Sequence, residues 1–156
     1  MATIRRFEDL EAWKAARKLA QMVYQVTKDR AFSPDPDLRR QMRKAAVSAV
    51  SNTAEGFERG GRAEFINFLS IAKGSVAEIQ AQLYVALDQA YVTQQQFHEV
   101  QAQGDSTKRL IAGLMQYLQA SDLKGEKFRR PTSRAANQKP ETTNHKPEGR
   151  YATRQS

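Results

Sequence analysis

Ser48, Ser51, Asn52 and Glu55 recur at i, i+3, i+4 and i+7, which places four polar groups on one helical face. Hydroxyl, amide and carboxylate groups in one stripe could do acid–base chemistry, form a binding surface, or make a hydrogen-bonded seam between helices. Catalysis needs a proton carrier beside them. The chain has only two histidines, His98 and His145, and no cysteine. One begins a helix among glutamines and the other lies near the C-terminus, so neither accompanies the stripe. Without cysteine, thiolate catalysis, disulfides and cysteine metal sites are excluded. A carboxylate-bridged di-metal centre needs Glu-x-x-His pairs, but Gln95 and Thr142 stand three residues before the two histidines. Gly60-Gly61 is flanked by arginines but lacks the Gly-x-x-x-x-Gly-Lys spacing of a phosphate loop. Glu55, Glu64 and Glu78 lie nearest the apolar seams, and helix-packing bonds or ion pairs explain them more simply than paired-carboxylate catalysis. The expectation is a non-enzymatic protein with no cofactor and no metal, and with the stripe as a structural seam. Whether its bonds go to a helix of the same bundle or of another subunit stays open at this level.

The basic residues carry a second chemistry. Arg39, Arg40, Arg43 and Lys44 put four cations within six residues, with Arg59 and Arg62 further along and Arg5 and Arg6 near the start. At about 100° per residue, the three clustered arginines fall opposite the Leu38/Met42/Ala45 face and are expected in solvent. They could bind phosphates, or simply form a solvated face. No aromatic residues interleave with them in the sequence, so any nucleic-acid binding would be electrostatic rather than base-specific. Residues 124–156 hold nine Lys/Arg against three Glu, a balance of +6, whereas residues 1–123 balance at +2. The overall charge of +8 therefore resides mainly in a C-terminal segment that includes Arg129 and Arg130. Such a segment can be a polyanion-seeking arm or a solubilising tail.

Four helices are needed to position these groups. The first spans about Asp9 to Lys28, with Leu10, Trp13, Ala16, Ala20, Val23 and Thr27 on one face and Asp9 able to cap it. FSPDPD breaks the pattern, offering Asp35 or Asp37 as a cap and Pro36 for a first turn. The second helix runs from about Asp37 to Phe57 with an alanine-rich core face, and ERGGR ends it. The third, about Arg62 to Ala90, carries a heptad seam from Phe65 through Leu69, Ala72, Val76, Ile79, Leu83 and Ala86 to Ala90. Phe68, Ile71 and Leu87 widen its apolar surface, hinting at a contact between subunits. The fourth opens with a Thr93/Gln96 capping box and continues to about Ser121, with Gly104 marking a close approach or a local break. Beyond Lys124 the chain is too polar to bury a core and reads as disordered. The expected architecture is an all-α, antiparallel up-and-down four-helix bundle over residues 1–122, followed by a disordered basic tail over 123–156. No signal peptide or membrane-length apolar run is visible, which points to a cytoplasmic protein without a membrane partner.

The segments FEDLEAWKAARKLA and RKAAVSAVSNTAEGFERGGRAEFINFLSIAKGSVAEIQAQLYVA resemble the four-helix bundle family encoded in intervening sequences of bacterial 23S ribosomal RNA genes. The signature residues are Ser51, Asn52, Ala54, Glu55 and Gly56, then Glu64 and Phe65, then Gly74, Ser75 and Glu78. With Ser48, the residues Ser51, Asn52, Glu55, Gly56, Glu64, Phe65 and Glu78 form the candidate structural or assembly seam. Where family members often carry Ile-Pro, this chain has Ala49-Val50, so a straighter second helix is expected. The resemblance implies a homo-oligomer built as a five-fold ring. It also implies kinship with the accessory protein of diversity-generating retroelements, a basic pentamer that binds a reverse transcriptase and nucleic acid. The reading from sequence is a homopentameric bundle that binds RNA or DNA through Arg39, Arg40, Arg43, Lys44, Arg59, Arg62, Arg129 and Arg130. A protein–protein scaffold without nucleic-acid binding is the alternative.

Overall fold

The computed structural model describes residues 3–123, and the candidate basic tail with Arg129 and Arg130 lies outside the described residues. Four helices make up the fold: α1 (Glu11–Thr27), α2 (Pro36–Arg59), α3 (Arg62–Asp88) and α4 (Gln94–Leu123). The principal contacts run α1–α2, α2–α3, α3–α4 and α4–α1, closing a square in which each helix touches two others. The short α2–α3 and α3–α4 connections force antiparallel neighbours, and the pairing of Ser48 with Ser75 and of Gln80 with Gln101 follows that sense.

The core follows the apolar seams. Phe65, Leu69, Ala72, Val76, Ile79, Leu83 and Ala86 of α3 are all buried, as are Met42, Ala45, Ala46 and Ala49 of α2. Leu19, Val23, Ile111 and Leu118 complete it from α1 and α4. The alanines of α2 allow close approach to its neighbours, and α2 runs unbroken through Ala49-Val50.

Helix ends show where local chemistry decides. Asp35 caps α2, accepting from the Leu38 amide at 3.0 Å, and Pro36 occupies the first turn. Thr93 and Gln96 cap α4 reciprocally, at 3.1 and 2.9 Å. Asp9 does not cap α1. It closes a tight 3₁₀ turn, Phe7–Asp9, by accepting from the Arg6 amide, and Leu10 takes the N-cap position with no side-chain cap bond. The heptad seam of α3 also stops before Ala90. That residue is exposed at φ 60°, beyond the helix end, because the chain reverses there to reach α4. Gly104 makes a close approach, not a break. A Cβ there would sit 2.7 Å from Gln80 Nε2, and α4 is continuous through it.

Candidate nucleic-acid interface and the polar seam

The stripe divides into two parts. Ser48 and Asn52 are half-buried, whereas Ser51 and Glu55 are exposed. The Ser48 and Ser75 hydroxyls share a 2.7 Å hydrogen bond that joins α2 to α3. Asn52 Nδ2 donates to both the Ser48 carbonyl and the Ser48 hydroxyl at 2.9 Å, and the Ser75 hydroxyl donates to the Ile71 carbonyl. The bond across the seam is therefore made within one bundle, while Asn52 acts along its own helix. Further along, Gly56 is buried where a Cβ would meet Phe68 Cβ at 2.6 Å and Phe65 Cδ2 at 2.9 Å. Phe65 stacks edge-on against Phe57 there. Glu64 and Glu78 are exposed, and Glu78 accepts from Gln82 at 3.3 Å. Among the described residues, no three His, Cys, Asp or Glu side chains converge to hold a metal ion.

The basic residues fall into two separate places. Arg39, Arg40, Arg43 and Lys44 line an open groove of about 530 Å³ between α1 and α2, together with Tyr24, Pro36 and Val47. Arg59 and Arg62 lie at the opposite end of α2, roughly 30 Å away at 1.5 Å per residue. Arg59 is committed elsewhere: its Nη2 donates to Glu55 at 2.8 Å, and its guanidinium lies over the Phe68 ring. The Glu55 hydrogen bond, and then its charge, raises the pKa of Arg59 above its ordinary value.

Within the groove the four cations differ. The expectation that all three arginines stand in solvent does not hold for Arg43 or Arg39, which are half-buried. Arg43 flanks the buried Met42 and reaches back over α1. Its Nε donates to Thr27 Oγ1 at 2.9 Å and its guanidinium lies 4.6 Å from the centre of the Tyr24 ring. Thr27 is fully buried and directs its own proton to the Val23 carbonyl at 2.7 Å, which leaves its oxygen to accept from Arg43. Arg40 pairs with Asp37 at 2.8 Å in solvent, an arrangement worth little and easily exchanged. Among the described residues Arg39 and Lys44 have no ion-pair partner, and the one carboxylate at the groove's edge is Asp37 on Arg40.

Tyr24 is what a reading along the chain misses. It lies far from the arginines in sequence, and only the antiparallel packing of α1 on α2 brings it beside Arg43. Its position next to the core residue Val23 marks it as bordering the α1 face. Beyond Tyr24 and Val47 the groove continues as an apolar trough formed with Ala20 and Val50 and flanked by Arg17 and Gln21. Elsewhere, Ile71, Tyr84 and Val85 of α3 and Leu110 of α4 are exposed apolar residues. Of the three residues expected to widen the α3 surface, Leu87 packs on the core and Phe68 is half-buried, while Ile71 is exposed.

A family profile described as 23S rRNA-intervening sequence protein matches residues 8–113. A crystal structure described as a protein of unknown function from the S23 ribosomal protein family of Bacteroides thetaiotaomicron VPI-5482 has a similar fold, with a TM-score of 0.61 and 19% identity. The alignment covers 67% of this chain and 97% of that one. A search of curated proteins returns no match. No helix among the described residues is long and apolar enough to cross a membrane.

Proposed function

The chain belongs to the 23S rRNA-intervening sequence protein family, and from that premise we propose that it is a non-enzymatic, homo-oligomeric bundle that binds RNA or DNA through its α1/α2 groove. The observation that carries the proposal is the grouping of four cations around one groove where, among the described residues, only Asp37 on Arg40 offsets their charge. Arg39 and Lys44 are the leading phosphate donors because no acidic side chain among the described residues pairs with them. Arg40 can exchange Asp37 for a phosphate at little cost. Arg43 contributes positive potential while staying tied to Thr27. Arg59 contributes less to the groove because it lies at the opposite end of α2, with its guanidinium over Phe68. Arg62 and the basic C-terminal segment add to the sequence-independent attraction.

Oligomerisation is supported by the exposed Ile71, Tyr84 and Val85 of α3 and Leu110 of α4. A ring built through these residues leaves the α1/α2 groove open. The same apolar surface supports a protein scaffold as the second reading, with a protein partner such as a reverse transcriptase on α3/α4.

Gel retardation of labelled RNA and DNA by the full chain tests the primary reading. Arg39→Ala/Lys44→Ala is expected to weaken retardation while the helical circular dichroism is unchanged. Absence of retardation at low salt by the unmodified protein would leave the scaffold reading in its place.

A further inference from the structure

We infer that the α1/α2 groove selects single-stranded over double-stranded nucleic acid, with Tyr24 as a stacking platform for an unpaired base. This rests on the nucleic-acid reading above and specifies the form of ligand it takes. The groove is not uniformly basic. Its cationic part and its apolar part share Tyr24 and Val47, so one continuous surface passes from phosphate donors to a hydrophobic floor.

A duplex presents phosphates outward and hides its bases, so it could use the cations and leave the apolar floor uncovered. A single strand offers both chemistries: charged phosphates, and flat bases that stack on aromatic rings. Tyr24 is built for that role. The residue is 37% exposed, although it adjoins the core residue Val23. Arg43 lies over the ring, and Thr27 anchors Arg43 in turn. A ring held in this way loses little freedom when a base stacks on it. Val47 is 47% exposed beside it and extends the apolar contact for the base.

Charge complementarity selects a nucleic acid over an apolar peptide as the occupant. A peptide helix would satisfy the trough between Ala20 and Val50 but leave Arg39 and Lys44 without counter-charges. A strand of alternating phosphates and bases meets both halves of the groove.

The test is fluorescence anisotropy of the full chain with one labelled RNA oligonucleotide, alone and annealed to its complement, at equal salt. Four proteins are compared: unmodified, Tyr24→Ala, Tyr24→Phe and Arg39→Ala/Lys44→Ala. Tyr24→Ala is expected to weaken single-strand binding by about 5- to 140-fold, the range of losing one stacked base. Duplex affinity and the salt dependence stay unchanged, because no phosphate donor is removed. Tyr24→Phe retains single-strand affinity, since the ring and not the hydroxyl is required. Equal effects of Tyr24→Ala on both forms, or on neither, overturn the stacking inference. If Arg39→Ala/Lys44→Ala still weakens both forms in that case, the electrostatic reading survives it. Loss of the oligomer in Tyr24→Ala, judged by light scattering, would assign the groove to a subunit contact and also overturn the inference. No binding of either form by the unmodified protein overturns both.

Discussion

Ser48 and Ser75 show how a polar stripe can resemble an active site and do a packing job. Each hydroxyl is held in a local set of bonds, and one 2.7 Å bond crosses between helices. Removing both hydroxyls should cost less than the sum of the single losses, because either single variant leaves the other hydroxyl without its partner across the seam. A double-mutant cycle with Ser48→Ala and Ser75→Ala, read by urea denaturation, should give a coupling of about 0.5–1.5 kcal/mol. A value near zero would mean that the bond adds nothing to the seam. Asn52 is a weaker contributor than its place in the signature implies, since both its bonds stay on α2. Gly56 is the tighter constraint. An added methyl would collide with Phe68 Cβ, an atom fixed to the α3 backbone. Gly56→Ala should therefore destabilise by about 1–3 kcal/mol, visible as a lower urea midpoint. The sequence shows the polar spacing and the absence of a proton carrier. It does not show that Ser51 and Glu55 are exposed, because a helical wheel cannot say where the neighbouring helix lies.

The helices and their order are legible at the scale of elements because seven apolar positions of α3 repeat with heptad spacing and every one is buried. Connections are less legible. The α3 seam as read from sequence continues to Ala90, an apolar residue in heptad register. In the structure the chain turns there in a Schellman arrangement: Tyr91 N–H donates to the Ala86 carbonyl and Ala90 N–H to the Leu87 carbonyl. Ala90 occupies the left-handed position where glycine is favoured. Register alone cannot separate a last helical residue from such a cap. Ala90→Gly should stabilise the protein by about 0.5–1 kcal/mol. Relief of the left-handed strain, about 1–2 kcal/mol, exceeds the added entropy of the unfolded chain. A lower thermal midpoint for this variant would contradict the backbone geometry. Gly60, at φ 77°, uses glycine for the equivalent turn between α2 and α3.

The molecule as a whole has two contrasting kinds of surface: a cation-lined groove between α1 and α2, and exposed apolar residues on α3 and α4. The sequence displays the arginine cluster because its members are adjacent. It hides Tyr24, the sharing of roles between Arg39 and Arg43, and the exposure of Tyr84 and Val85, since all three depend on which helices become neighbours. If the apolar residues assemble the subunits, Val85→Glu should convert the oligomer to monomers by light scattering while leaving helicity intact. An unmodified protein that is already monomeric at micromolar concentration would refute the ring. The central claim, phosphate binding by Arg39 and Lys44, is tested most directly by the salt dependence of RNA affinity. The logarithm of affinity should fall linearly with the logarithm of salt concentration, by about 0.7 per phosphate contact on a single strand. Arg39→Ala/Lys44→Ala should make that slope shallower by about 1.4. Affinity that is independent of salt, or a slope unchanged in the double variant, would contradict it.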